Sequence, residues 1–324
     1  MKELTVLSLC DGMSCGQIAL VEEGFAIKDY YASEIETNAI KVTQENFPNT
    51  KQVGDIRGIT AEMLNSIGNV DLVLCGFPCN DVSRCTRQGG SQNWNEMHKK
   101  GKGLNGEKSS LYFEFIRIYS ILKSRNPDIK FLVENVPGMT KAEREVVNND
   151  LGVNGIIIDS ALFSAQERKR IYWTNIKYDP IPNENNCTIK DILDKNVPDR
   201  FYEKREFTIK DKSAREVGEL IFGFKAHDIV KRIYGINYKS PTLTACRGGN
   251  LQKKIYVNGR CRKLTPHEYR KLQTIPDWYK MPVSNGQIYN LCGEGWTVAV
   301  IRHILRGLSG NALSVSGGAR GKLC

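Results

Sequence analysis

The chain contains no run of about 18 or more apolar residues, so no segment is long enough to span a bilayer as a helix. Its first residues, Met1-Lys2-Glu3-Leu4-Thr5, lack the charged-then-apolar layout of a secretory signal. The ten cysteines lack the spacing of a disulfide framework, and 324 residues can bury a core that needs no stapling. Reduced thiols are therefore expected, in an intracellular protein: in the cytoplasm of a prokaryote or phage-infected cell, or in a nucleus if the source is eukaryotic. There is no internal repeat. With 40% hydrophobic and 25% charged residues, the chain is neither disordered nor collagen-like. One large domain or two modest ones remain.

Acid is scarce in one region. From Lys239 to Lys263 there are seven basic residues and no acidic one. The net charge of +10 is unevenly spread: −2 over residues 1–175, +8 over 176–264, and +2 in each of 265–310 and 311–324. A second basic island runs from Arg84 to Lys102, with five basic residues against Glu96. A near-neutral front half followed by a basic segment suggests a catalytic body with a part that contacts a polyanion. A solvated basic face fits the charge equally well.

Short apolar runs alternate with helical patterns over the first 175 residues. Leu4–Leu9, Lys28–Ser33, Val70–Cys75, Phe131–Glu134, Gly155–Ser160 and Arg170–Asn175 read as strands. Cys15–Glu23, Thr37–Asn46 and Ser109–Ser124 read as helices, the last ended by Asn126-Pro127. This order predicts an open, doubly wound α/β sheet, with function at the carboxyl ends of the strands. Those ends carry Asp11-Gly12, Glu34, Phe77-Pro78-Cys79 and Glu134-Asn135. From about residue 176 to 264 the pattern becomes aperiodic, as in a small separate domain. Helices return at 266–273 and 298–308, and 311–324 reads as a disordered tail.

Several motifs compete. Gly12-Met13-Ser14-Cys15-Gly16 spells a nucleophile elbow, but only one strand precedes it and an elbow needs several. The same glycine turn, with Glu34 about 20 residues on, suits a nucleotide-like ligand: a carboxylate there accepts from ribose hydroxyls. Cys79, just past a strand end, is a candidate thiolate nucleophile. Zinc at Cys75, Cys79 and Cys85, with His98 nearby, fits no common finger, and no metal is expected. Arg168 and Arg170, two apart, would share a face on an extended strand.

Taken together, Pro78-Cys79, Glu134-Asn135-Val136 and Gln166-x-Arg168-x-Arg170 resemble the cytosine-5 DNA methyltransferases. The run Arg262-Lys263-Leu264-Thr265-Pro266-x-Glu268 and then Leu272-Gln273-x-x-Pro276-Asp277 extends the resemblance over about residues 4–308. Gly293 to His303, Leu9-x-Asp11-Gly12 and Pro78-Cys79-Asn80-Asp81 are similar to the animal de novo subgroup. Pro241-Thr242-Leu243-Thr244 resembles the end of the family's target-recognition region. Cys10, Ser14, Cys15, Ile35 and Glu294 depart from the usual pattern.

The resemblance implies a Rossmann-like, S-adenosyl-methionine-dependent methyltransferase domain (1–175 with 265–310) and an inserted target-recognition domain (176–264). It implies methyl transfer to carbon 5 of a cytosine flipped out of duplex DNA, through a covalent Cys79 adduct. Catalytic candidates are Pro78, Cys79, Glu134, Asn135, Arg168 and Arg170, the arginines holding the base carbonyl, the catalytic carboxylate or a phosphate. Cofactor candidates are Leu9, Cys10, Asp11, Gly12, Met13, Ser14, Glu34, Ile35, Asp55, Ile56, Phe77, Pro78, Glu294, Gly295 and Trp296. DNA candidates are Arg84, Arg87, Lys99, Lys100, Thr242, Thr244, Arg247, Lys253 and Lys254, with Asn80 to Gly106 as a lid. No membrane partner is implied. A restriction endonuclease counterpart and a homo-oligomer stay open. The rivals are a tRNA methyltransferase, whose Cys-Phe-Thr tripeptide is absent here, and a non-catalytic DNA-binding homologue.

Overall fold

A computed structural model describes residues 3–79, 81–82 and 103–309. The chain forms two compact units. The first takes the chain up to Ile158, Lys169–Asp179 and the stretch from Arg302; the second takes Asp159–Arg168 and Pro180–Ile301. Residues 159–168 and 265–301 thus pack with the aperiodic segment rather than with the front half. Tertiary bonds explain this. Gln166 Nε2 donates to Leu272 O and to Gln273 Oε1, both at 3.1 Å. Arg262 pairs with Glu268 at 2.6 Å.

The first unit is built on a seven-stranded sheet. In chain order its strands are β1 (Leu4–Leu9), β2 (Ile27–Ser33), β3 (Lys51–Gln52), β4 (Leu72–Cys75), β5 (Lys130–Asn135), β6 (Ile156–Asp159) and β7 (Lys169–Thr174). Their spatial order is β3-β2-β1-β4-β5-β7-β6. The β1–β2, β2–β3, β1–β4 and β4–β5 pairs are parallel, and β7 runs antiparallel to β5. The chain steps outward from β1 to β3 and then returns to β4 beside β1. That reversal opens a crevice beyond the carboxyl ends of β1 and β4, where ligands of such sheets bind.

Both faces of the sheet are covered. Leu7, Leu9, Val73, Cys75, Phe131 and Val133 pack in one core with Phe115, Ile118, Tyr119 and Leu122 of the helix Leu111–Arg125. The alternate residues Val6, Leu74 and Leu132 are just as buried. Two-sided burial is why these strands read as unbroken apolar runs. Lys141–Leu151, a helix that the apolar pattern did not reveal, starts at a capping box of Thr140 and Glu143 and ends at Gly152, in the left-handed region.

The second unit holds a five-stranded sheet: β8 (Phe207–Ile209), β9 (Glu216–Leu220), β10 (Arg232–Gly235), β11 (Lys254–Val257) and β12 (Arg260–Lys263), ordered β12-β11-β10-β9-β8. One apolar cluster of this sheet joins Val217, Leu220, Ile233 and Cys261, with Phe207, Ile209, Phe222 and Tyr256 against it. Two helices follow, Pro266–Leu272 and Asn285–Glu294. Among the described residues no helix is long and apolar enough to cross a membrane. Seven described cysteines, Cys79 among them, are thiols.

Candidate active site

The crevice begins at the turn after β1. Cys10 (φ 53°), Gly12 (φ 60°) and Ser14 (φ 52°) all take left-handed backbone, which only glycine adopts without cost. The turn is bound from beside and below. Glu34, at the end of β2, accepts from Gly12 N (2.7 Å) through one oxygen and from Ile35 N (2.7 Å) and Glu36 N (2.9 Å) through the other. Asp11 accepts from the Tyr30 hydroxyl (2.8 Å) and from Ser14. Burial pushes the Asp11 carboxyl up to about 6, against the pull of those hydrogen bonds.

Above this turn there is room. A Cβ on Gly12 would meet nothing within 4 Å, and Ile35 is 66% exposed. A carboxylate offers about four lone-pair positions, and three N–H groups engage Glu34, so a ribose hydroxyl can still be received. Ile35 offers an apolar shelf for a flat base. Asp55 spends its carboxylate on Arg57, through bonds of 2.5–3.1 Å. Leu9, Met13, Ser14, Ile56 and Phe77 are buried and shape the floor; Phe77 lies 5.3 Å from the Tyr112 ring, centroid to centroid. The open surface of this set fits S-adenosyl-methionine at Cys10-Asp11-Gly12, Glu34 and Ile35.

One strand over, Cys79 follows β4. Cys75 at the strand's end is fully buried, and burial with a hydrogen bond to the Cys10 thiol drives its own thiol well above the ordinary range. Cys79, unlike Cys75, is only half-buried, so a substrate can reach it. Cys75 pairs with Val133 in the parallel register of β4 and β5, which brings Glu134 and Asn135 alongside the Phe77-Pro78-Cys79 loop. Asn135 Nδ2 donates to Phe77 O at 2.9 Å and ties the loop to β5. Arg170 lies on β7, antiparallel to β5. Its Nε sits 3.0 Å from Glu134 Oε1, with the two side chains 14% and 10% exposed. A half-exposed thiol, a carboxylate and a guanidinium are thus gathered at adjacent strand ends.

The model of the C-5 cytosine-specific DNA methylase family matches residues 4–310. The chain belongs to that family.

Type II methyltransferase M.HhaI of Haemophilus parahaemolyticus is 27% identical over 331 residues, covering 94% of each chain. Type II methyltransferase M.HaeII of Haemophilus aegyptius is 26% identical, over 94% of this chain and 92% of the relative. Among solved structures, the Entamoeba histolytica methyltransferase EhMeth superposes with a TM-score of 0.71 at 15% identity, over 96% of this chain and 99% of that one. S. pombe Dnmt2 superposes with a TM-score of 0.63 at 17% identity, over 95% and 99%. These two similarities speak to the fold. The methylase is an enzyme that uses S-adenosyl-methionine and transfers a methyl group to carbon 5 of cytosine in DNA.

The remaining expected residues fall less simply. Arg168 and Arg170 do not share a task. Arg168 precedes β7, is 2% exposed, and donates to Leu243 O (3.0 Å), Gly293 O (2.9 Å) and Gly295 O (2.9 Å), all in the second unit. The expectation that it holds the base carbonyl or a phosphate gives way to a backbone clasp. Glu294 and Trp296 lie beside the glycines it holds, and Glu294 accepts from Asn290 at 3.0 Å.

Lys253 and Lys254, expected on phosphate, are buried in the second unit. Lys254 Nζ donates to the carbonyls of Val230 (2.9 Å), Asn250 (2.6 Å) and Gln252 (3.2 Å). Burial pulls its ammonium down to about 8, and lowers Lys253 as well. Burial of both side chains argues against the expected phosphate contacts. Thr242 Oγ1 donates to Glu167 O at 2.7 Å, whereas Thr244 and Arg247 are exposed. Arg84, Arg87, Lys99 and Lys100 lie outside the described residues, as does most of the expected lid. Among the described residues no three His, Cys, Asp or Glu side chains could hold a metal ion.

Sequence reasoning gave Ser109 and Asp81 no role at the site. Ser109 Oγ donates to Pro78 O at 3.0 Å and accepts from Asp81 N at 3.3 Å. The neighbouring Pro-Cys-Asn-Asp run signalled Asp81, but nothing signalled a partner 28 residues on.

Proposed function

We propose that Cys79 is the nucleophile of the methylase, acting on a cytosine flipped out of duplex DNA, and that Glu134 with Arg170 is its acid–base partner. The observation that carries this is the half-exposed Cys79 on a loop tied to β5, with Glu134 and Arg170 paired 3.0 Å apart at the same strand ends. Carbon 5 of cytosine is too poor a nucleophile to be methylated directly. Addition of Cys79 Sγ to carbon 6 breaks the 5,6 double bond and pushes its electron pair toward ring nitrogen 3 and the carbonyl. Glu134 supplies a proton at nitrogen 3, and Arg170 keeps the carboxylate oriented between cycles. Carbon 5 thereby becomes electron-rich. Bound S-adenosyl-methionine supplies an electrophilic methyl group for it. Loss of the carbon-5 proton to water then re-forms the 5,6 double bond and expels Sγ, while nitrogen 3 returns its proton to the Glu134 carboxylate.

The seven-stranded unit supplies the nucleophile and the turn for the cofactor. Residues 176–264, ending near the Thr-Leu-Thr segment, are proposed to read the DNA, with Arg247 among the phosphate contacts. The relatives' names, Type II methyltransferases, support pairing with a restriction endonuclease.

Duplex DNA carrying 5-fluorocytosine tests the nucleophile, because fluorine at carbon 5 blocks the final elimination and traps the adduct. The parent chain is expected to form a denaturant-resistant complex and Cys79→Ser none, with DNA and cofactor binding retained. An adduct in Cys79→Ser removes the proposal. Bisulfite sequencing of DNA from expressing cells would locate the target site.

A further inference from the structure

We propose that Ser109 is a positioning residue for Cys79, itself held in place by Asp81. This rests on the reading of Cys79 as nucleophile. Three successive carbonyls leading through the nucleophile each accept a hydrogen bond: Phe77 O from Asn135 Nδ2 (2.9 Å), Pro78 O from Ser109 Oγ (3.0 Å) and Cys79 O from Val82 N (3.2 Å). The peptide joining Pro78 to Cys79 is one rigid plane, so fixing the Pro78 oxygen fixes the Cys79 nitrogen. With the Cys79 carbonyl held as well, the direction of its Cα–Cβ bond is set from both sides. The Ser109 hydroxyl is the only side chain in this trio outside the family motifs quoted above.

The serine is well built for the task. It is fully buried, and its single hydroxyl proton goes to Pro78 O while its oxygen accepts from Asp81 N (3.3 Å). Asp81 closes the circle. Its Oδ2 accepts from Lys108 N and Ser109 N, both at 3.1 Å, just before the helix Leu111–Arg125, where an anion is favoured. Gly106 makes room: a Cβ there would lie 2.2 Å from Asp81 Cγ. Asp81 thus orders the serine, and the serine orders the plane that aims the sulfur. A displacement of about 1 Å at a reacting atom can cost on the order of a hundredfold in rate.

The test uses the full chain with saturating DNA and S-adenosyl-methionine. Ser109→Ala is expected to lower kcat, and the single-turnover rate of adduct formation on 5-fluorocytosine duplex, by about tenfold, leaving both KM values within about twofold. Ser109→Thr, which keeps the hydroxyl, is expected to restore most of the rate. An unchanged adduct rate in Ser109→Ala overturns the proposal. So does a loss carried equally by KM, or one that threonine does not rescue, because either marks general structural damage. If Ser109→Ala does not fold, Asp81→Ala carries the test, and an unchanged adduct rate there is equally fatal. An adduct in Cys79→Ser would instead sink the nucleophile reading itself, so the two failures are distinguishable.

Discussion

Arg170 in the first unit and Arg168, Lys254 and Arg262 in the second use their charge in opposite ways. In the first, Arg170 reaches Glu134 at the mouth of a crevice, where both side chains keep some exposure. In the second, Arg168, Lys254 and Arg262 are buried, with almost no surface left. Arg168 and Lys254 each donate to three backbone carbonyls. Arg262 pairs with Glu268, which also accepts from Thr265 N at 2.7 Å. In the second unit these buried charged side chains bind its loops together beside the apolar residues. The segment with the greatest excess of positive charge is therefore not, residue for residue, the surface that meets phosphate.

The contrast can be broken most forcefully at its two ion pairs. Replacing Arg262 by Met would leave Glu268 buried without its counter-charge, at a cost of about 3–5 kcal/mol in unfolding free energy. Arg170→Met, at a partly exposed pair, is expected to depress methyl transfer with a much smaller change in denaturation midpoint. If Arg262→Met proved catalytically dead but fully stable, the division of roles would be wrong.

Lys254 sharpens the contrast through pH. Its ammonium binds protons more weakly when folded (pKa about 8) than at its ordinary value of 10.5. Between those two values the unfolded chain holds the extra proton, so this lysine's contribution makes stability rise as pH rises through the window. Lys254→Met should remove that increment, seen as a shallower stability–pH slope in denaturant titrations between about pH 8 and 10.5. An unchanged slope would mean that the lysine is not buried as described.

The smallest effect is expected at the exposed Arg247. Arg247→Ala should reduce the salt dependence of DNA binding by about one unit of slope in log K against log salt. The same measurement on Lys254→Met should show no such change.

The central strands were legible through two-sided burial, and the helices Thr37–Asn46 and Leu111–Arg125 through helical periodicity; Cys15–Glu22, buried nearly all round, was legible as an apolar run after the glycine turn. β3 has only two residues and left no pattern. The strands of the second unit escaped for another reason: they are short and carry Lys254 and Arg262 at inward positions, where a binary pattern expects apolar residues. At the site, Cys79, Glu134 and Arg170 stood out by residue type and spacing. Arg168 looked like their equal, because two residues of separation on a strand predicts one face. The strand begins after it, at Lys169, and its guanidinium holds carbonyls of the second unit, to which Arg168 itself belongs.

By itself, then, the sequence determined the chemistry on offer: a cysteine after a buried strand, a carboxylate after the next, a glycine turn after the first. It also determined the α/β alternation that puts such groups at strand ends. Only the tertiary structure decided which ends become neighbours, because strand order depends on how the chain doubles back between β1 and β4. It alone showed that Ser109 pins the peptide before Cys79 and that two of the most conspicuous lysines face inward. Burial and long-range hydrogen bonds arise between residues far apart along the chain, and no local pattern records them.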